Sequence, residues 1–197
     1  MIKKVVAIEH LTLDGVYQAP ARQDEDVRDG FQYGGWSIAS SDPKMQETIG
    51  NYMAGGWSLL AGRVTYEDLF EGWSVRQPSS PMTKALTNVQ KFVACHDSDA
   101  QLPWENSTLL AGEATEAVAK LKKEHDKTLV VFGSGMLVRS LMKHDLVDEF
   151  VLMFHPLVLG KGRRFFDEDT PFTKFKLASE SMTNTGVVVA IYQLAAG

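Results

Sequence analysis

The stretch Thr128-Leu-Val-Val-Phe-Gly-Ser-Gly-Met-Leu-Val-Arg-Ser-Leu-Met142 constrains the fold more than any other. Thr128 to Phe132 have the apolar character of a buried strand, and Gly133-Ser134-Gly135 breaks it. An amphipathic segment with Met136, Leu137, Leu141 and Met142 at helical spacing follows. A strand that turns through two glycines into a helix exposes backbone N–H groups with no Cβ in the way, and the helix dipole adds partial positive charge. Such a turn suits a phosphate or pyrophosphate. The alternative is a tight turn that needs glycine only for its dihedrals. The G-x-G-x-x-G fingerprint is incomplete, since Val138 stands where its third glycine belongs, which argues against a standard Rossmann fold.

A second junction has the same form. Trp57 to Ala61 is expected as a short buried strand that passes through Gly62 into Arg63-Val64-Thr65-Tyr66 and a short helix ending near Phe70. A guanidinium and a hydroxyl in the first turn suit a phosphate. The alternative is an exposed Arg63 paired with Glu67 or Asp68. In open α/β sheets ligands sit outside strand carboxyl ends, so two such junctions in one sheet are placed to grip a dinucleotide.

The remaining elements follow from local signals. A first strand is expected over Ile2 to Leu13, closed by Asp14-Gly15. Residues 18 to 35 read as an irregular loop, long enough to serve a site or an interface. Tyr33 and Trp36, beside two glycines, are either a stacking surface for a flat ring or the loop's own small core. Helices are expected from Ser41-Asp42-Pro43 to Gly55-Gly56 and over Glu113 to Glu124, and a short helix or turn over Pro81 to Thr87. Strands are expected over Lys91 to Cys95, at Leu109 to Ala111 and over Leu146 to Phe154. Phe175 to Ser181 and Val187 to Leu194 flank Asn184-Thr185-Gly186 as an antiparallel hairpin. The sum is one α/β domain with a mixed sheet.

Composition excludes several classes. A net charge of −5 argues against general nucleic-acid or anionic-membrane binding. The one cysteine, Cys95, excludes an intrachain disulfide and fits a reducing compartment. The apolar run at the N-terminus stops at Glu9, too short for a signal peptide, and nothing approaches the ~18–20 apolar residues of a membrane span. A cytoplasmic protein is expected. The five histidines are scattered with no metal-ligand spacing. Ser134 lacks the G-x-S-x-G elbow, and no Walker lysine follows the glycine turn.

Five stretches in order carry a resemblance: Leu11-Thr-Leu-Asp-Gly-Val16, Leu60-Ala-Gly-Arg-Val-Thr-Tyr-Glu67, Val130-Val-Phe-Gly-Ser-Gly135, Leu146-Val-Asp-Glu149, and Pro156-Leu-Val-Leu-Gly-Lys-Gly162 with Phe165 or Phe166. Together they resemble the dihydrofolate reductase-like superfamily, above all the C-terminal reductase domain of bifunctional riboflavin-biosynthesis deaminase-reductases and its stand-alone relatives. The resemblance implies a three-layer fold with a mostly parallel central sheet and a C-terminal antiparallel hairpin. It also implies a homodimer and NADPH as hydride donor. Gly62, Arg63, Thr65 and Tyr66 would then hold the adenosine-side phosphates. Gly133, Ser134 and Gly135 would cradle the pyrophosphate, with Met136 and Leu137 continuing that helix. Relatives place Ser followed by Arg or Lys near the 2′-phosphate, where this chain has Cys95-His96. Asp14 is the candidate proton donor or substrate anchor, its alternative a turn-forming role. Glu47 is the carboxylate offered by the helix that anchors the pterin in dihydrofolate reductases, its alternative a solvated helix position. The implied reaction is hydride transfer to a small flat heterocycle of pterin or ribosylamino-pyrimidine type. The competing reading is a binding protein of the same fold without turnover.

Overall fold

The computed structural model of the protein describes residues 4–195. Val5–Thr12 forms β1, Trp57–Gly62 β2, Lys91–Cys95 β3, Ser107–Ala111 β4, Thr128–Phe132 β5, Glu149–His155 β6, Phe175–Met182 β7 and Val188–Leu194 β8. They make one sheet in the order β4-β3-β2-β5-β1-β6-β8-β7. The first six in that order run parallel, and β8 pairs antiparallel with both β6 and β7. The central strands are largely apolar because both faces are covered, Glu9 and His10 on β1 being the interruption.

Alternate side chains divide the core between those faces. Val5, Ala7, Leu129 and Val131 pack with Val118, Val138 and Leu141 from helices α4 (Ala114–Glu124) and α5 (Gly135–Met142). Val6, Ile8 and Val130 pack with Met45 and Leu86 from α1 (Pro43–Ala54) and α3 (Pro81–Asn88). Asp42 caps α1 by accepting the Lys44 N–H, and its second oxygen accepts the Asn184 N–H at the tip of the β7–β8 hairpin. Glu149 ties three elements together: it accepts hydrogen bonds from Lys4, from Tyr52 on α1 and from Gln193 on β8.

Several boundaries differ from expectation. Ile2 and Lys3 of the expected first strand lie outside the described residues. The strand expected from Leu146 begins at Glu149. Asp145 turns left-handed at φ 53°, and the Leu146 N–H donates to Leu141 O, so these residues close α5 instead. β4 reaches back to Ser107 through its pairing with Lys91. Helix α2, Arg63–Leu69, runs on into a π-helical turn over Phe70–Val75, where Gly72 leaves room for the Arg22 guanidinium.

Candidate active site

The carboxyl ends of β1, β2, β3 and β5 open onto a cavity of about 820 Å³, within the ~300–1,000 Å³ range of small-molecule clefts. The two glycine junctions border it side by side. At the first, Gly62 leads into α2. At the second, Gly133 and Ser134 both adopt left-handed backbone, at φ 63° and 59°, before α5 begins at Gly135. The Gly62 N–H donates to Ser134 Oγ at 3.0 Å, which fastens one junction to the other. Gly135 is required for space: a Cβ there would lie 2.6 Å from the Tyr17 ring.

The structure gathers most of the predicted contacts around this cavity. Gly62, Arg63 and Thr65 line it from α2, and Gly133, Ser134, Gly135, Met136 and Leu137 from α5. Cys95 and His96 line it from the end of β3. Arg63 is exposed and donates to Glu67 at 2.8 Å and to Asp97 at 3.2 Å. Asp68, half-buried at the loop-facing end, is pushed up to about 6 by burial and by the Glu25 carboxylate.

Tyr66, Asp14, Glu47, Tyr33 and Trp36 are not among the lining residues. Tyr66 is fully buried beside Trp104, where its hydroxyl accepts the Trp104 N–H at 2.8 Å. It shapes α2 from the core side, away from the cavity. Asp14 pins a turn: it accepts from Thr12 Oγ1 at 2.7 Å and from the amides of Leu159 and Gly160. Burial works against the charge, but these bonds hold the carboxyl below its ordinary range. These contacts are the turn-forming arrangement expected as the alternative for Asp14. Glu47 is exposed on α1. Trp36 donates to Gln18 O and packs on a small cluster of Val16, Ala19 and Phe31, the loop's own core. Tyr33 is half-exposed, edge-on to Phe31.

Among the lining residues that escaped the sequence reading, two stand out chemically. Glu9 and His10 sit on β1, and both border the cavity. Glu9 is 3% exposed, and its Oε2 has no hydrogen-bond partner. His10 Nδ1 lies 2.9 Å from His155 Nε2, and His155 Nδ1 lies 2.6 Å from Ser40 Oγ. Burial pushes both imidazoles down to about 4, helped at His10 by its neighbour, so the chain is neutral at pH 7. The available signal was a charged residue interrupting an otherwise apolar strand, Val-Val-Ala-Ile-Glu-His-Leu.

The model of the RibD C-terminal domain family matches residues 3–190. The chain belongs to that family. The uncharacterized protein YyaP of Bacillus subtilis (strain 168) is 35% identical over 143 residues, 68% of this chain and 72% of YyaP. The uncharacterized protein YwjB of the same organism is 32% identical over 120 residues, so the matched part spans 61% of this chain and 64% of YwjB. Among solved structures, a putative riboflavin biosynthesis protein from Shewanella sp. PV-4 superposes with a TM-score of 0.67 at 17% identity, covering 98% of this chain and 99% of that one. Dihydrofolate reductase from Enterococcus faecalis, complexed with NADP(H), gives 0.60 at 14% identity over 98% and 97%. The diaminohydroxyphosphoribosylaminopyrimidine deaminase/5-amino-6-(5-phosphoribosylamino)uracil reductase of Thermotoga maritima gives 0.62 at 13% identity, covering 98% of this chain but 57% of the longer protein. The RibD-type domain therefore has the dihydrofolate reductase-like fold. Among the described residues no helix is long and apolar enough to cross a membrane, and no cluster of three potential ligands could hold a metal ion.

Proposed function

We propose that the protein is an NADPH-dependent reductase acting on a small flat heterocycle of pterin or ribosylamino-pyrimidine type. The observation that carries this reading is the joined pair of glycine junctions on one cavity, with N–H groups at two helix starts and the Gly62–Ser134 bond between them. That cradle fits a diphosphate flanked by two nucleosides. A reduced nicotinamide, when bound, supplies hydride. The chain's own residues do the placing: the α5 turn holds the pyrophosphate, the α2 turn holds the adenosine side, and the β1 end faces the remaining space. Placement is the larger part of the task, because hydride transfer needs reacting atoms about 3–3.5 Å apart. The same reading takes the chain as a single reductase domain working as a cytoplasmic homodimer, which sedimentation of the purified protein would check.

Cofactor choice falls to Arg63. Its two ion pairs are exposed, and such pairs open at little cost, which leaves the guanidinium able to meet a 2′-phosphate. Arg63→Ala is expected to weaken NADPH binding about tenfold and to leave NADH binding within about twofold, as measured by fluorescence titration. Equal losses for both would remove Arg63 from the 2′-phosphate. A second reading, binding without turnover, is favoured by the position of Asp14 and Glu47 outside the cavity. Saturable NADPH binding with no cofactor oxidation across a panel of pterins and pyrimidines would establish it.

A further inference from the structure

Glu9 sits in the middle of the sheet, on the strand flanked by β5 and β6. One carboxyl oxygen, Oε1, accepts the His10 N–H at 3.1 Å. The other, Oε2, is buried, unpartnered and beside the cavity. A Cβ built on Gly133 would stand 4.0 Å from it, so the absent side chain at 133 leaves this oxygen open toward the α5 turn. A buried polar atom without a partner is costly. Native proteins keep few, and those in clefts mark functional sites.

Apart from burial, the groups that act most on the Glu9 carboxyl are the His10 amide and the Glu25 carboxylate, neither of them a cation. His10 on its own strand is neutral, Glu25 from the following loop repels it, and Tyr17 from the same loop carries a hydroxyl pushed up by burial. Arg139 of α5 acts on Tyr17, is bonded to the carbonyls of Arg164 and Phe165, and is paired with Asp167. Burial holds the Glu9 carboxyl well above its ordinary range, against the His10 amide and with the Glu25 charge. Burial therefore favours the protonated form of this carboxyl over the charged one. Glu25 and Asp68 are the other carboxyls on the cavity that burial raises, but they belong to the charged cluster with Arg22, Arg28 and Asp26.

We propose that Glu9 is the catalytic acid of this site: its Oε2 donates a hydrogen bond to a ring nitrogen or carbonyl oxygen of the heterocycle and yields that proton as the adjoining carbon is reduced. The proposal rests on the reductase reading. For a C=N bond the balance is simple. Hydride from the reduced nicotinamide adds to carbon, the π pair takes the Glu9 proton at nitrogen, and the bond becomes CH–NH. The nicotinamide leaves oxidised, and the Glu9 carboxylate regains its proton from solvent.

Two measurements on the full chain test this. Carbon-13 NMR of protein labelled at glutamate carboxyls should show one carboxyl that titrates far above the others and disappears in Glu9→Gln. Glu9→Met, an apolar side chain of similar length, identifies the same signal if the amide variant does not fold. Pterin is then titrated in the presence of NADP+ across the pH range of that transition. Wild-type affinity should fall at least about tenfold on ionisation of Glu9, whereas Glu9→Gln, whose amide still donates, should lack that component; comparing the two cancels the titration of pterin itself. Glu9 titrating with the exposed glutamates, or identical pH profiles for wild type and Glu9→Gln, would overturn the assignment. Failure of wild type to bind NADPH would instead sink the reductase reading, and the NMR result on Glu9 would stand independently.

Discussion

Gly133→Val is expected to lower NADPH affinity at least about 100-fold, or about 2.7 kcal/mol. Gly133 holds φ at 63°, a region where a β-branched residue is a steric outlier, at a cost of roughly 1–2 kcal/mol. The new Cβ would sit 3.6 Å from Thr65 Cγ2, so its methyl groups must either enter the cavity or push α2 away. Both routes damage the turn that, on the proposed reading, offers its N–H groups to the pyrophosphate. Urea unfolding, measured alongside, separates the loss of cradle from the loss of fold. Gly56→Ala is the matched control: it has φ 82° with open space around its Cβ position and does not line the cavity. It should lose stability to a similar extent and keep its cofactor affinity. Wild-type NADPH affinity in Gly133→Val would detach this turn from the nucleotide.

Lys91→Met is expected to lower the unfolding free energy by about 2–4 kcal/mol. Lys91 opens β3 with no exposed surface, and its ammonium donates to Leu86 O, Thr87 O and Val89 O at 2.7, 3.0 and 2.8 Å. Those carbonyls belong to the end of α3, which finishes on an extended Val89 with no glycine cap. The Trp104 ring lies 5.0 Å from the same nitrogen. Methionine matches the length but supplies no donor, leaving buried acceptors unmet at about 1–3 kcal/mol each. Removal of a buried charge offsets part of this, which keeps the expected loss below the simple sum. A midpoint shift in urea with unchanged slope would report it. A variant as stable as wild type would show that α3 terminates without the lysine.

Both predictions bear on what the chain discloses in one dimension. The glycine-broken strands, the Asp42 cap and the C-terminal hairpin were legible because each is written in adjacent residues. The strand expected at Leu146 was misplaced by a left-handed Asp145, which apolar content does not reveal. Tyr66 was legible as part of a helix start but not as a core residue, since its partner Trp104 arrives from 38 positions away. Distance along the chain also hid the His10–His155 contact, which joins residues 145 apart. Glu9 looked like the end of an apolar run, when it is the polar interruption of a strand that continues to Thr12. Local signals report backbone shape, whereas the environment of a buried carboxyl is set by elements that only the sheet order brings together.

The bond from the Gly62 N–H to Ser134 Oγ has a bearing on selectivity. β2 and β5 are adjacent strands, so the two junctions sit at a separation fixed by the sheet, ~4.8 Å per strand step, and neither can drift without the other. On the proposed reading the pair would act as a gauge of molecular length. A mononucleotide would engage one end only and forgo the effective-concentration gain of the second, so AMP and nicotinamide mononucleotide together should compete poorly with the intact dinucleotide.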